Sequence, residues 1–144
     1  MKHLTLLIVF TLLIISCNND DGNTINETVC NYQGLSYLDT SNNNQTLLPE
    51  TDLQTQFFPN SNNGPFGSPG VEISSFVSSP TLFFTTNVID LNTFGPGTLT
   101  LDGIDYSVTV TCQRAGTAIG DEFRYDIVAA GIEAEFCVGI DEVL

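Results

Sequence analysis

The chain has no tryptophan, one methionine, one histidine and only three cationic side chains among 144 residues. Met1, Lys2 and His3 account for the methionine, the histidine and the single lysine, so everything from Leu4 onward works without those residue types. Ser-His-Asp and Cys-His catalysis, Schiff-base chemistry and imidazole-held zinc are thereby excluded. Arg114 and Arg124 are too few to neutralise a phosphate backbone, which excludes nucleic acid as a partner. Without tryptophan a carbohydrate platform would have to use Tyr or Phe. No segment keeps a helical period over three turns. The apolar run Leu4 to Ile15 is 12 residues long and stops at an Asn/Asp cluster, short of the roughly 20 that cross a bilayer. What the chain has in quantity is acid, with 17 Asp and Glu and a formal charge of −14.

Lys2 and His3, the apolar run and small Ser16 before Cys17 form a leader in the order that export requires. Ile14-Ile15-Ser16-Cys17 resembles the lipobox of bacterial lipoproteins. That resemblance implies cleavage before Cys17 and acylation of the cysteine, which would anchor the protein without spanning the membrane. An ordinary cleaved secretory signal is the alternative. Asn18-Asn19-Asp20-Asp21 is similar to the acidic stretch after the lipid cysteine in surface-exposed lipoproteins of the Bacteroidota. The resemblance implies an outer-membrane location facing outward; a periplasm-facing attachment is the alternative. The expected organisation is a signal peptide at 1–16, a lipidated Cys17 with a flexible tether to residue 27, and one domain over 28–144. A ten-residue flexible tether would reach roughly 17 Å. Losing Lys2 with the leader makes the charge one unit more negative, so the membrane link is expected to be the lipid alone.

Alternation and turn chemistry point to an all-β fold. Asp102-Gly103 sits between two alternating runs as a type I′ hairpin turn, setting Leu101 opposite Ile104, Leu99 opposite Tyr106 and Thr100 opposite Asp105. A second hairpin runs from Phe123 to Ala129 and from Ile132 to Val138. It pairs Phe123 with Val138, Tyr125 with Phe136, Ile127 with Ala134 and Ala129 with Ile132. A four-residue loop suits Ala130 better there than a two-residue I′ turn, where it would be strained. Val29 to Leu38, Val71 to Val77 and Thr81 to Leu91 also read as strands. Ser41 to Gly70, with four prolines among Asn, Ser and Gly, reads as a long ordered loop holding at most a short strand. The expected architecture is an antiparallel β-sandwich of Ig-like, Greek-key kind, with a small β-barrel as the alternative.

Export places Cys30, Cys112 and Cys137 in an oxidising space, where one disulfide and one leftover thiol are expected. In a simple meander Cys112 and Cys137 lie about 9.6 Å apart, too far to bridge, which makes Cys30 one partner. Cys112 continues the inward set Tyr106, Val108, Val110, so Cys30 with Cys112 is the expected pair and Cys30 with Cys137 the alternative.

The same hairpin arithmetic puts Asp126 opposite Glu135, with Arg124 diagonal to Glu135. Two opposed carboxylates suit a solvated face bridged by the Arg, a calcium site of all-oxygen ligands, or a catalytic acid pair. Phe57, Phe58, Phe66, Phe83, Phe84 and Phe94 exceed what alternation places inside, so an exposed contact patch is a further expectation. Together these readings describe a non-catalytic, lipid-anchored envelope protein, an adhesion or binding accessory facing outward, with a protein or glycan partner unspecified. The alternatives are a glycan-binding or carboxylate-dependent glycan-processing subunit and a calcium-stabilised structural module. No cofactor is expected unless calcium binds.

Overall fold

A computed structural model describes residues 30–60, 62 and 64–144; the leader, Cys17 and the tether lie outside the described residues, as does the side chain of Phe66. Ten strands follow in chain order: β1 (Gly34–Asp39), β2 (Asn44–Pro49), β3 (Leu53–Phe58), β4 (Gly70–Ser75), β5 (Leu82–Thr86), β6 (Phe94–Leu101), β7 (Ile104–Arg114), β8 (Glu122–Ala129), β9 (Ile132–Gly139) and β10 (Glu142–Val143). They form one sheet in the order β10-β3-β4-β5-β6-β7-β8-β9-β1-β2. Seven of them, β3 to β9, run as an antiparallel meander, while β10 leaves the end of β9 and pairs in parallel with β3. That crossing bends the sheet into a half-barrel. Its halves face each other as sandwich layers do: Phe57 of β3 meets Phe123 of β8 at 5.5 Å between ring centres, and Phe84 of β5 meets Phe136 of β9 at 4.9 Å. The all-β class read from the sequence is what forms.

Both hairpins have the register that alternation sets, pair by pair. Asp102 and Gly103 have φ of 48° and 79°, as a type I′ turn demands. The second hairpin closes on the two residues Ala130 and Gly131 rather than four. Only Gly131 takes a positive φ, 81°, so Ala130 escapes the strain that argued for a longer loop. Leu99, Val110, Tyr125, Ile127, Phe136 and Val138 point inward and are at most 1% exposed. Inward-facing Gly97 lets the sheet bend tightly, because a Cβ there would lie 2.7 Å from Val110 Cγ2 and 2.9 Å from the Thr85 carbonyl oxygen.

The stretch Ser41 to Gly70, expected as loop, contains β2 and β3. Asp39 accepts bonds from Ser41 and Asn42, and Asn43 turns the chain at φ 57°, so β2 folds back on β1. In β3, Leu53, Thr55 and Phe57 alternate inward; polar Thr55 in the middle hides that pattern.

Candidate functional site

The expected acid pair forms on the outer face of β8 and β9. Asp126 stands opposite Glu135, and the structure brings partners to each. Gln113 Nε2 donates to Asp126 at 2.7 Å and Asn31 Nδ2 to Glu135 at 3.0 Å. Arg124 Nε lies 3.0 Å from Glu135 Oε1; its N–H is out of line for a hydrogen bond, and the contact is an ion pair. Arg114 lies 3.4 Å from Glu122. Both arginines thus serve carboxylates at one end of the sheet.

The disulfide joins Cys30 to Cys137, with Cα atoms 6.0 Å apart, and corrects the favoured pairing of Cys30 with Cys112. Cys112 does face inward, as read, and is a buried free thiol. A thiol inside the half-barrel cannot reach Cys30, because two strands separate β7 from β1 and the chain before β1 crosses the outer face of β9. Gly34 pairs directly with Cys137, so Cys30, four residues earlier, lies over its own neighbour strand. Cys137, Arg124 and Glu122 are covered there. Glu122 Oε1 lies 2.8 Å from Cys30 Sγ, which is a close contact, since a disulfide sulfur has no proton to donate. The Cys30, Cys137 and Glu122 ligand atoms are close enough to hold a metal, but the S–S bond occupies both sulfurs.

Burial pushes the Cys112 thiol up to about 11, and burial likewise holds the Tyr125 phenol well above 10. Neither is a reactive group. The aromatic expectation divides by strand alternation. Phe57, Phe58 and Phe84 are buried, whereas Phe83 is 44% and Phe94 79% exposed. Sequence reasoning missed Phe76, 66% exposed in the connection after β4.

The site that sequence reasoning missed entirely is a notch at one end of the half-barrel. Pairing of β7 with β8 begins at Thr109 and Val128, so Ile104 to Ser107 run on past the β8–β9 turn by about 13 Å. On the other side β1 reaches Ile132 at Asp39, and the turn at 40–43 also projects beyond. A short hairpin between two longer ones leaves a gap. Thr40 N donates to the Gly131 carbonyl at 2.9 Å and ties one wall to the floor. The gap measures about 370 Å³ and is lined by Tyr37 and Asp39 on one wall, Ala130 to Ile132 on the floor, and Asp102, Ile104 and Tyr106 on the other wall. Ile104 is 58% exposed although it sits on the inner side of its strand, because no strand covers it.

Both notch carboxylates are held from behind. Asp39 Oδ1 accepts from Ser41 N at 2.9 Å and Ser41 Oγ at 2.6 Å, and Oδ2 accepts from Asn42 Nδ2 at 2.8 Å. The Ser41 bonds hold the Asp39 carboxyl below its ordinary pKa and keep it ionised. Asp102 Oδ1 accepts from Thr81 N at 2.8 Å. Among the described residues no cationic side chain lines the notch.

Comparison with family models, curated proteins and solved structures finds no match to this chain. The structure is an all-β domain built from one curled ten-stranded sheet, disulfide-stapled at one end and notched at the other.

Proposed function

We propose that this protein is a lipid-anchored, non-catalytic binding domain of the bacterial outer membrane, facing outward and engaging its partner through the notch. One observation carries the reading: the notch and the entry of the tether lie at opposite ends of the same two strands. The chain enters at Cys30, stapled to Cys137, and runs along β1 from Gly34 to Asp39, about 17 Å, before it reaches the notch wall. A domain hung from Cys17 by that end presents the notch away from the membrane. The absence of His and Lys beyond residue 3 supports binding over catalysis. The acid pair Asp126 and Glu135 is engaged by Gln113, Asn31 and Arg124, which supports a structural role for it over a catalytic or calcium-holding one.

The test uses intact cells. Ala130, exposed on the notch floor, is replaced by Cys and treated with a membrane-impermeant maleimide. Labelling of Ala130→Cys on intact cells is the expected result; protection until the outer membrane is breached refutes the outward orientation. Ile104→Asp charges the exposed wall without touching the core, and is expected to reduce retention of intact cells on surfaces that hold wild-type cells. Unchanged retention refutes the notch as the binding site.

A further inference from the structure

We infer that the notch receives the end of a saccharide chain, neutral or amino-bearing, and rejects acidic sugars; the inference rests on the binding reading above. Three features of the notch point to that chemistry. The first is apolar surface of the right kind. Tyr37 and Tyr106, half-buried and packed against the core, and exposed Ile104 line the gap with aromatic and aliphatic carbon from opposite walls. A pyranose has an apolar C–H face that packs on such surfaces, and tyrosine adds a phenol that exchanges hydrogen bonds with the sugar rim.

The second is a set of acceptors fixed before any ligand arrives. An ionised carboxylate offers about four acceptor sites. Asp39 uses three of them within its own turn, and Asp102 uses Oδ1 on Thr81. Each keeps acceptor capacity, and neither has to be ordered at the moment of binding, which lowers the cost of association. Groups that accept but do not donate call for a ligand rich in donors. Sugar hydroxyls supply them, and an amino sugar adds an ammonium.

The third is charge. With no Lys, Arg or His among the described residues of its walls and a formal charge of −14 over the whole chain, the notch repels uronic, sulfated and phosphorylated sugars. Its volume of about 370 Å³ is at the small end of ligand pockets, enough for the terminal ring or two of a chain and too small for a cleft along one. One such contact is weak. Many copies anchored on one cell meeting a repeating glycan would gain through multivalency, which suits an adhesion role.

The test is saturation-transfer NMR on the full lipidated protein in detergent micelles, with cellotriose, maltotriose, chitotriose, a glucosamine trimer and a galacturonate trimer as probes. Expected is transfer to the ring protons of at least one neutral or amino trisaccharide and none to galacturonate. Tyr106→Ala is expected to cut the transfer at least fivefold, Ile104→Asp to cut transfer to a neutral trisaccharide by as much, and Tyr106→Phe to keep most of it. Because Ile104 is largely exposed, its variant stays folded even if Tyr106→Ala does not, and an unchanged melting curve verifies this. Transfer to no neutral or amino sugar overturns the inference, as does transfer to a neutral sugar that Ile104→Asp leaves intact, transfer to an amino sugar that Tyr106→Ala leaves intact, or transfer that favours galacturonate. If every sugar fails while Ile104→Asp still lowers cell retention, the saccharide assignment falls and the binding reading stands. If both fail, both fall.

Discussion

Replacing Cys30 and Cys137 together with Ser tests the staple, because the bond closes a loop of 107 residues that holds almost every described strand. In the chain-entropy account, a loop of that length restricts the unfolded chain by about 4.8 kcal/mol at 25 °C. For a domain of this size 1 kcal/mol shifts the melting point by roughly 4 °C, which sets a ceiling of about 20 °C. Residual structure in the unfolded chain lowers that ceiling, so the expected drop is about 10 to 20 °C by circular dichroism. The pairing is read separately by trypsin under denaturing, non-reducing conditions. Arg114 and Arg124 lie between Cys112 and Cys137. A Cys30–Cys137 bond therefore joins the fragment ending at Arg114 to the one beginning at Tyr125, whereas a Cys30–Cys112 bond would lie within a single fragment. Release of the 125–144 fragment without reductant refutes the pairing. A melting-point drop under about 4 °C refutes the claim that loop closure stabilises the fold.

Phe84→Ala removes a fully buried ring in contact with Tyr125 and Phe136, and urea unfolding is expected to show a loss of about 3 to 5 kcal/mol. Cys112 is expected to resist iodoacetamide at pH 8 in the native protein and to react once it is unfolded in urea. Its thiol holds the proton more tightly folded, at about 11, than at the ordinary 9.0, so its contribution is intact below pH 9 and lost as pH rises toward 11. Denaturant midpoints should fall across that window, and fall less in Cys112→Ala. Calcium at millimolar concentration is expected to move the melting point by less than about 2 °C, since Gln113, Asn31 and Arg124 already occupy Asp126 and Glu135; a larger rise abolished by Asp126→Asn would restore the calcium reading.

The two hairpins were legible because each rests on local chemistry. Asp102-Gly103 takes a backbone conformation few residue pairs tolerate, and a one-residue slip would turn Leu99 and Tyr125 out of the core. Strands β2 and β3 were not legible. Asn44-Gln45-Thr46 has no apolar pattern because β2 is an edge strand with little to bury, and Thr55 interrupts the inward set of β3. The disulfide was misread for a topological reason. An inward Cys112 suits a bridge between two sheets, but a single sheet with β1 beside β9 brings Cys30 to the outer face instead. The acid pair followed from hairpin register alone, whereas its partner Asn31 comes from a segment whose position no local rule sets. The notch depends on which hairpins stand side by side. The overhang of β7 past β8 and the projection of the β1 turn are differences in length between neighbours, and β1 joins β9 across nearly the whole sequence.

The same topology gathers the two arginines at one end. Arg114 pairs with Arg124 across β7 and β8, and Arg124 pairs with Cys137, so both arginines stand at the stapled end and are met there by Glu122 and Glu135. Among the described residues the notch is lined by the acids Asp39 and Asp102 and by no cation. Glu50, Asp121, Asp141 and Glu142 also stand at the stapled end, so both ends are acidic and the two differ in where the cations sit. Salt follows from this arrangement. Binding of an amino sugar at the notch would weaken as ionic strength rises, whereas a neutral sugar, held by ring faces and hydrogen bonds, would bind almost independently of it. The salt dependence of saturation transfer therefore distinguishes the two ligands the notch admits, and neither trend depends on the arginines, which lie at the far end of the sheet.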